Sequence, residues 1–240
     1  MTAVALGRDF EFKVDRSEVC PTGLSEVDTA VGGLPQGCLT EVYGPSSSGR
    51  TSLMLAAMAQ STSGENVCAL VDASDAFDPA SAAAAGVLLE RLLWVRCGGN
   101  AEHALKAADL LVQGGGFGLV VMDLADTPVI SARRISMTSW FRLRRAVEHT
   151  PTVLLVLEQQ PHAKTCASLT LEMRREWAVW SGANAGDGTA GELRSPEPAE
   201  SRLRPRLAAP QNPNLLRGIR VQVDRRKPVP AIAASFESRW

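Results

Sequence analysis

Gly44-Pro45-Ser46-Ser47-Ser48-Gly49-Arg50-Thr51, followed by Ser52, has the form GxxxxGRT. An apolar run, Leu39–Tyr43, precedes it and a helical pattern begins near Thr51. A Gly-rich turn between a strand and a helix is how a chain binds phosphate: backbone N–H groups of the turn and the helix N-terminus converge on the anion. Gly44 through Ser52 are therefore the expected nucleotide-binding residues. The Thr51 hydroxyl is placed to hold Mg²⁺. The alternative is a Gly/Ser turn without a ligand. Arg50 stands where such loops usually carry Lys. It keeps the charge but replaces a compact ammonium with a wider planar fork, so binding survives more readily than γ-phosphate chemistry.

A second element supports the first. Gly118-Leu119-Val120-Val121-Met122-Asp123 is an apolar run ending in an acid, the pattern of a strand whose terminal carboxylate orients Mg²⁺ and its water. Thr51 and Asp123 are the expected metal pair. Asp123 as a turn or cap residue is the competing reading.

These residues need a scaffold, and the pattern supplies one. Short β-rich runs at 39–44, 66–73, 92–96, 118–124 and 152–159 alternate with helical stretches at 51–60, 79–89, 101–113 and 131–149. Val153-Leu154-Leu155-Val156-Leu157 is apolar on both faces, as a strand covered by helices on each side must be. The expected class is α/β with a mainly parallel twisted sheet. Ser168–Trp180 and Leu216–Lys227 read as strands without a helix between them, hence as antiparallel additions at the sheet edge. The stretch 181–214, rich in Gly, Ala, Pro, Ser and charge, is expected to be a disordered insertion.

Composition sets outer bounds. The chain has 240 residues, 45% hydrophobic and 5% aromatic, with 25 basic and 26 acidic side chains. A globular chain of this length buries enough surface to need no disulfide or metal staple. No apolar stretch approaches the roughly 18 residues of a membrane span, and the N-terminus mixes Arg8, Asp9 and Glu11 into its apolar run, unlike a signal peptide. Cys20, Cys38, Cys68, Cys97 and Cys166 form no CxxC pair, which argues for a reducing compartment, the cytoplasm by default, and against a zinc site. His103, His149 and His162 lack ligand spacing and are expected to be structural or exposed. Residues 1–132 carry net −9 and residues 200–240 net +6. A basic back end on an acidic front end suggests a polyanion or an acidic partner.

The blocks Thr22-Gly23-Leu24-Ser25-Glu26-Val27-Asp28, Gly32-Gly33-Leu34-Pro35-Gln36-Gly37 and Leu39 through Gly49 resemble the nucleotide-binding core of bacterial RecA. The resemblance runs on through Asp72–Pro79 and Asp123 to Gln159. With Leu89–Arg96 and Val221–Lys227, the chain looks closest to the ImuA family, RecA-like accessory factors of damage-induced translesion synthesis. That likeness implies a 20–180 core with an N-terminal extension at 1–19, and a C-terminal strand and basic tail at 215–240 belonging to the core sheet. It further implies partners: an ImuB-like polymerase subunit, RecA, single-stranded DNA, and further copies of the chain, but no membrane.

Carried onto this chain, the family's pattern is incomplete. Its catalytic glutamate falls on Ser74, which cannot act as a carboxylate base, and Asp75 beside it points the wrong way if the segment is extended. The adenine-stacking aromatic falls on Ser81. Gln159 matches the γ-phosphate sensor, with a strand-end amide bonded to backbone as the other reading. The mobile loop after the sensor shrinks to Gln160–Thr165, and no counterpart of the family's helical N-terminal domain is expected ahead of the core. Asp9–Val14 alternates like a short strand that would pack on its own chain or join a neighbour.

Arg133, Arg134, Arg142, Arg144 and Arg145 cluster around the helix expected at 131–149, with Arg134 and Arg145 spaced to share a face. Arg225, Arg226 and Lys227, near Arg217 and Arg220, form a second patch; Arg202, Arg204 and Arg206 a third. These are candidate contacts to DNA or a partner. Trp140, Phe141, Trp177 and Trp180 are the nearby rings that could stack on bases or fill the core. The leading expectation is an ATP-binding accessory protein of DNA repair, at most a slow ATPase. A non-catalytic scaffold with a vestigial nucleotide site and an active single-stranded-DNA-dependent recombinase are the alternatives.

Overall fold

The structure, a computed structural model, describes residues 19–180 and 216–239. Ten strands and six α-helices follow one another as β1 Val19–Cys20, α1 Ser25–Val31, β2 Leu34–Pro35, β3 Cys38–Tyr43, α2 Arg50–Ser63, β4 Cys68–Asp72, α3 Pro79–Ala84, β5 Leu92–Arg96, α4 Ala101–Gly114, β6 Leu119–Asp123, α5 Val129–Ala132, α6 Met137–Val147, β7 Val153–Glu158, β8 Leu169–Trp180, β9 Leu216–Lys227 and β10 Ile232–Arg239. Eight of the strands form one sheet in the order β10-β9-β8-β3-β7-β6-β4-β5. From β8 to β5 every pairing is parallel; β9 and β10 are added antiparallel. This is the expected α/β class, with helices on both faces and an antiparallel C-terminal edge.

Alternation along β6 and β7 builds two cores. Val121, Val153, Leu155 and Leu157 point to the face covered by α1 and α2, where Leu53, Met54, Ala57 and Met58 pack against them. Val120, Met122, Leu154 and Val156 point to the other face, under Ala104, Leu105 and Ala108 of α4 and Trp140, Leu143 and Val147 of α6. Period-two side chains on a strand can serve two faces in this way only if both are covered. All six residues of β7 are buried.

Because the central strands are parallel, the loops leaving β3, β4, β6 and β7 emerge along one edge of the sheet, with Tyr43 opposite Glu158 and Asp72 opposite Asp123. That edge is where ligands meet open parallel sheets.

Several expectations need correction. The helix expected at 79–89 stops at Ala84, and Leu89–Arg91 is a separate 3-10 turn. The single helix expected at 131–149 is two, α5 and α6, separated at Arg133–Ser136; Ser136 caps α6 by accepting the Ser139 N–H. Arg134 and Arg145 therefore do not share a helix face. Residues after Lys227 are not a basic tail, because Ile232–Arg239 is a strand fully paired with β9, with Phe236 buried. The expected insertion at 181–214, with Arg202, Arg204 and Arg206, and the strand-like Asp9–Val14 lie outside the described residues. Among the described residues, no helix is long and apolar enough to cross a membrane.

Candidate functional site

The Gly44–Ser52 segment leaves the C-terminal end of β3 and enters α2. Gly44 N–H donates to the Glu158 carbonyl at 3.3 Å and Ser48 N–H to the Pro45 carbonyl at 3.2 Å. Ser47 (φ 60°) and Gly49 (φ 91°) are left-handed, so the chain reverses sharply before the helix. A Cβ on Gly49 would lie 2.5 Å from Val221 Cγ2 of β9, so the position requires glycine both for its dihedral and for its neighbour. Among the described residues no side chain caps α2, which leaves its first N–H groups, and the positive end of a 14-residue helix, directed at the turn.

Two observations bear on a phosphate ligand. The Ser48 hydroxyl is buried and has no hydrogen-bond partner among the described residues, an unusual state for a buried polar group that a ligand oxygen would relieve. Pro45, Ser46, Ser47 and Thr51 are exposed, so the rim of the turn and the Thr51 hydroxyl are accessible. Asp123, at the end of β6, accepts the Ala125 N–H on Oδ1 at 2.8 Å. Burial pushes its carboxyl up to about 6, with Asp72 and Asp126 adding to the rise and Arg50 opposing it. A carboxylate held in this way gains from a nearby cation. The residues present thus fit a Mg²⁺-nucleotide: uncapped N–H groups and Ser48 for phosphate oxygens, Thr51 and Asp123 for the metal. Ser52 has another engagement, accepting from Ser238 of β10 at 2.8 Å.

Arg50 is not a mobile cation at the mouth. It is buried, and its Nη1 donates to the Glu158 carbonyl at 2.5 Å. Burial lowers its proton affinity, and Asp123 and Asp126 restore part of it. Gln159, one residue on, is also engaged, its amide donating to the Ala125 carbonyl at 3.1 Å and the Thr127 carbonyl at 3.4 Å.

Ser74 is the residue on which the resemblance places the family's acid. Ser74 follows β4 in a bend, with its hydroxyl 3.4 Å from that of Thr127. Asp72 accepts the N–H groups of Ser74, Ala76 and Phe77 and the indole of Trp94, which curls the segment. It is thus bent where the sequence reading allowed for an extended segment. Asp75 is left-handed (φ 56°) and pairs with Arg96 at 3.2 Å and the Gly98 N–H at 3.3 Å, so it too is occupied elsewhere.

The basic residues divide. A groove of about 570 Å³ is lined by Arg133, Arg134, Gln160, His162 and Lys164, with Arg133 donating to Gln160 at 2.8 Å. Arg134 and Arg145 are exposed, with no ion pair among the described residues. Arg142 pairs with Asp109, and Arg144 with Glu148. In the second patch Arg226 is bound to Glu172 and Asp224, Arg225 reaches the Pro230 carbonyl, and Lys227 donates to the carbonyls of Thr165 and Ala167. These last three knit β9 to its surroundings. Trp140 is fully buried, whereas Phe141 and Trp177 are exposed; Trp177 carries the Arg220 guanidinium 5.2 Å from its ring centre. The side chain of Trp180 is outside the described residues.

The sequence reading passed over Glu41 and Glu158 and took His162 as structural or exposed; the three meet at the groove. Glu41 accepts the N–H groups of His162 and Ala163 at 2.6 and 2.7 Å, and His162 Nδ1 lies 2.5 Å from Glu158 Oε2. The signal was available: an acid inside each of two apolar strands, β3 and β7.

Comparison with known proteins gives this geometry a lineage. A family model for the RecA N-terminal domain matches residues 2–133, more than half of the chain. Among curated proteins, the chain is 44% identical to protein RecA of Deinococcus radiodurans over 115 residues, 47% of this chain and 31% of that protein. It is 43% identical to protein RecA of Acinetobacter baumannii over 112 residues, 46% of this chain and 32% of that protein. The match thus spans about a third of the length of these relatives.

Proposed function

Since the chain belongs to the RecA N-terminal domain family, we propose that it is a nucleotide-binding protein of DNA repair whose nucleotide acts as a conformational ligand rather than as fuel. The observation that carries the proposal is the turn between β3 and α2: an uncapped helix start with a buried, unpartnered Ser48 hydroxyl facing the same loop. In this reading ATP or ADP sits on Gly44–Ser52, and bound Mg²⁺ neutralises phosphate charge between Thr51 and Asp123. The chain's own groups then do three things. Helix and loop N–H groups orient the phosphates, Asp123 fixes the metal side, and the Arg50–Glu158 contact holds the loop against β7.

Hydrolysis is slow in this reading. Ser74 has no carboxylate to draw a proton from water, and Asp75 is committed to Arg96 and Gly98. General-base catalysis contributes roughly 10²–10⁴ to such reactions, and its loss alone moves an ATPase into the range of a binding protein. A nucleotide still shifts a conformational equilibrium if it binds one state better than the other.

The groove beside Gln160 is the proposed contact for single-stranded DNA. Within repair, we place the protein with the ImuA-like accessory factors of damage-induced translesion synthesis, alongside an ImuB-like polymerase subunit and RecA. The retained nucleotide loop combined with the missing acid supports this over an active recombinase. Equilibrium binding of a fluorescent ATP analogue tests the nucleotide reading. Micromolar, Mg²⁺-dependent affinity that falls at least tenfold in Thr51→Ala is expected; no binding at millimolar nucleotide overturns it. Co-purification with an ImuB-like subunit tests the pathway.

One feature favours a second reading, a scaffold with a vestigial site. Arg50 and Gln159 both donate to backbone carbonyls of the chain itself. Under that reading the same titration shows no binding while partner capture persists.

A further inference from the structure

His162 Nδ1 and Glu158 Oε2 are 2.5 Å apart. Two bare acceptors repel at that distance, so a proton lies between them. The pair is deeply set: the Glu158 side chain is 1% exposed and that of His162 14%. The second carboxyl oxygen of Glu158 is buried without a partner among the described residues. Below the pair, Glu41 accepts two backbone N–H groups of the same loop. Above it lies the groove of Arg133, Arg134 and Lys164. The Glu158 carbonyl, meanwhile, accepts from both Gly44 and Arg50, so one residue touches the phosphate loop with its backbone and the groove loop with its side chain.

We propose that the Glu158–His162 pair is an affinity-determining element of the groove, in which the number of protons the two side chains hold sets the charge the loop presents to a phosphate-bearing strand. This rests on the reading of the groove as a nucleic-acid contact. The groups facing the pair are Glu41 from β3, Arg133 from the turn after α5 and, towards Glu41, Lys227 from β9 with Arg144 of α6 beside it. Burial pushes Glu158 up to about 7, and Glu158 in turn raises His162. Acidification therefore adds positive charge beneath the groove at pH values near neutrality, and alkalinisation removes it. A polyanion binds more tightly to the protonated form.

The test uses a fluorescein-labelled oligothymidylate and the full chain at fixed ionic strength. Between about pH 6 and pH 8.5, wild-type affinity is expected to fall roughly three- to tenfold, the weight of about one charge at a phosphate contact. His162→Gln, which can still donate to Glu158, leaves that carboxyl to titrate alone and is expected to shift the fall without abolishing it; Glu158→Gln is expected to move it to lower pH, and the double variant His162→Gln/Glu158→Gln to flatten it. A wild-type slope surviving in the double variant overturns the proposal. If wild type binds no oligonucleotide at any pH, the DNA reading fails, and the Cε1 proton resonance of His162 decides the pair separately. A midpoint above the ordinary histidine value that drops in Glu158→Gln supports a shared titration; a midpoint unchanged by that substitution refutes it.

Discussion

The guanidinium of Arg50 donates to the backbone carbonyl of Glu158 at 2.5 Å, although the two residues are 108 positions apart. Parallel pairing of β3 with β7 makes this contact, since it sets Tyr43 opposite Glu158 and brings the loop after β3 across the end of β7. A residue expected to reach for phosphate is thereby also a strut of the fold.

Arg50→Ala should consequently destabilise the protein with no ligand present. The Glu158 carbonyl keeps the Gly44 N–H at 3.3 Å, so the loss should be about 1–2 kcal/mol, in the range for a charged hydrogen bond. Urea denaturation measures it. A change under a few tenths of a kcal/mol would show that the contact carries no stability.

Restoring the missing acid should matter more for turnover than restoring lysine. Arg50→Lys alone is expected to leave ATP hydrolysis within about tenfold of wild type, whereas adding Ser74→Glu should raise it by about another tenfold or more. Steady-state phosphate release decides between them. If the lysine variant alone matched the double variant, Ser74 would not be the limiting departure.

Gly49→Ala forces a Cβ against Val221 at a left-handed position. The dihedral costs about 1–2 kcal/mol and the overlap more, so a total of about 2–4 kcal/mol is expected. Val221→Ala should relieve the steric part and leave the dihedral part. A double-mutant cycle on denaturation free energies separates the two.

Stability should decline as pH rises from about 5.5 to 8. Asp123 and Glu158 are raised to about 6 and about 7, and His162 is raised as well. The folded chain therefore binds more protons than the unfolded one in this window, and unfolding free energy falls with pH. Thermal melts across the range should show the fall, of about 1–2 kcal/mol, and Glu158→Gln should flatten it. A rise over the same interval would contradict the assignment.

For nucleic-acid binding, the two arginine patches should part company. Arg134→Ala is expected to weaken oligonucleotide binding and lower the salt slope by about 1. Arg226→Ala, which breaks the contacts to Glu172 and Asp224, should leave binding unchanged and move the denaturation midpoint little, as loss of exposed ion pairs does.

The parallel strands were legible because burial on both faces leaves runs such as Val153–Leu157 with no polar interruption. β10 was not: Ile232-Ala233-Ala234-Ser235-Phe236 has small residues where a strand would show β-branched ones, and its pairing depends on β9 rather than on its own pattern. The break between α5 and α6 contains neither Gly nor Pro; the Ser136 cap was the one local sign. At the site, residue type and spacing placed the turn and the strand-end acid. They could not tell which carbonyl Arg50 meets, or that Lys227 is spent on Thr165 and Ala167, because such partners are fixed by sheet order and not by neighbours in sequence. The meeting of buried Glu41 and Glu158 with half-buried His162 escaped for a related reason: Glu41 and His162 are 121 positions apart along the chain yet adjacent across it.

The hydroxyl of Ser238 rests on that of Ser52, in the first turn of α2. The final strand is thus a brace against the very helix whose start the nucleotide would grip. Cutting the chain before Ile232, or replacing Ser238 with a bulky side chain, should be felt first in that grip, well before the sheet itself comes apart.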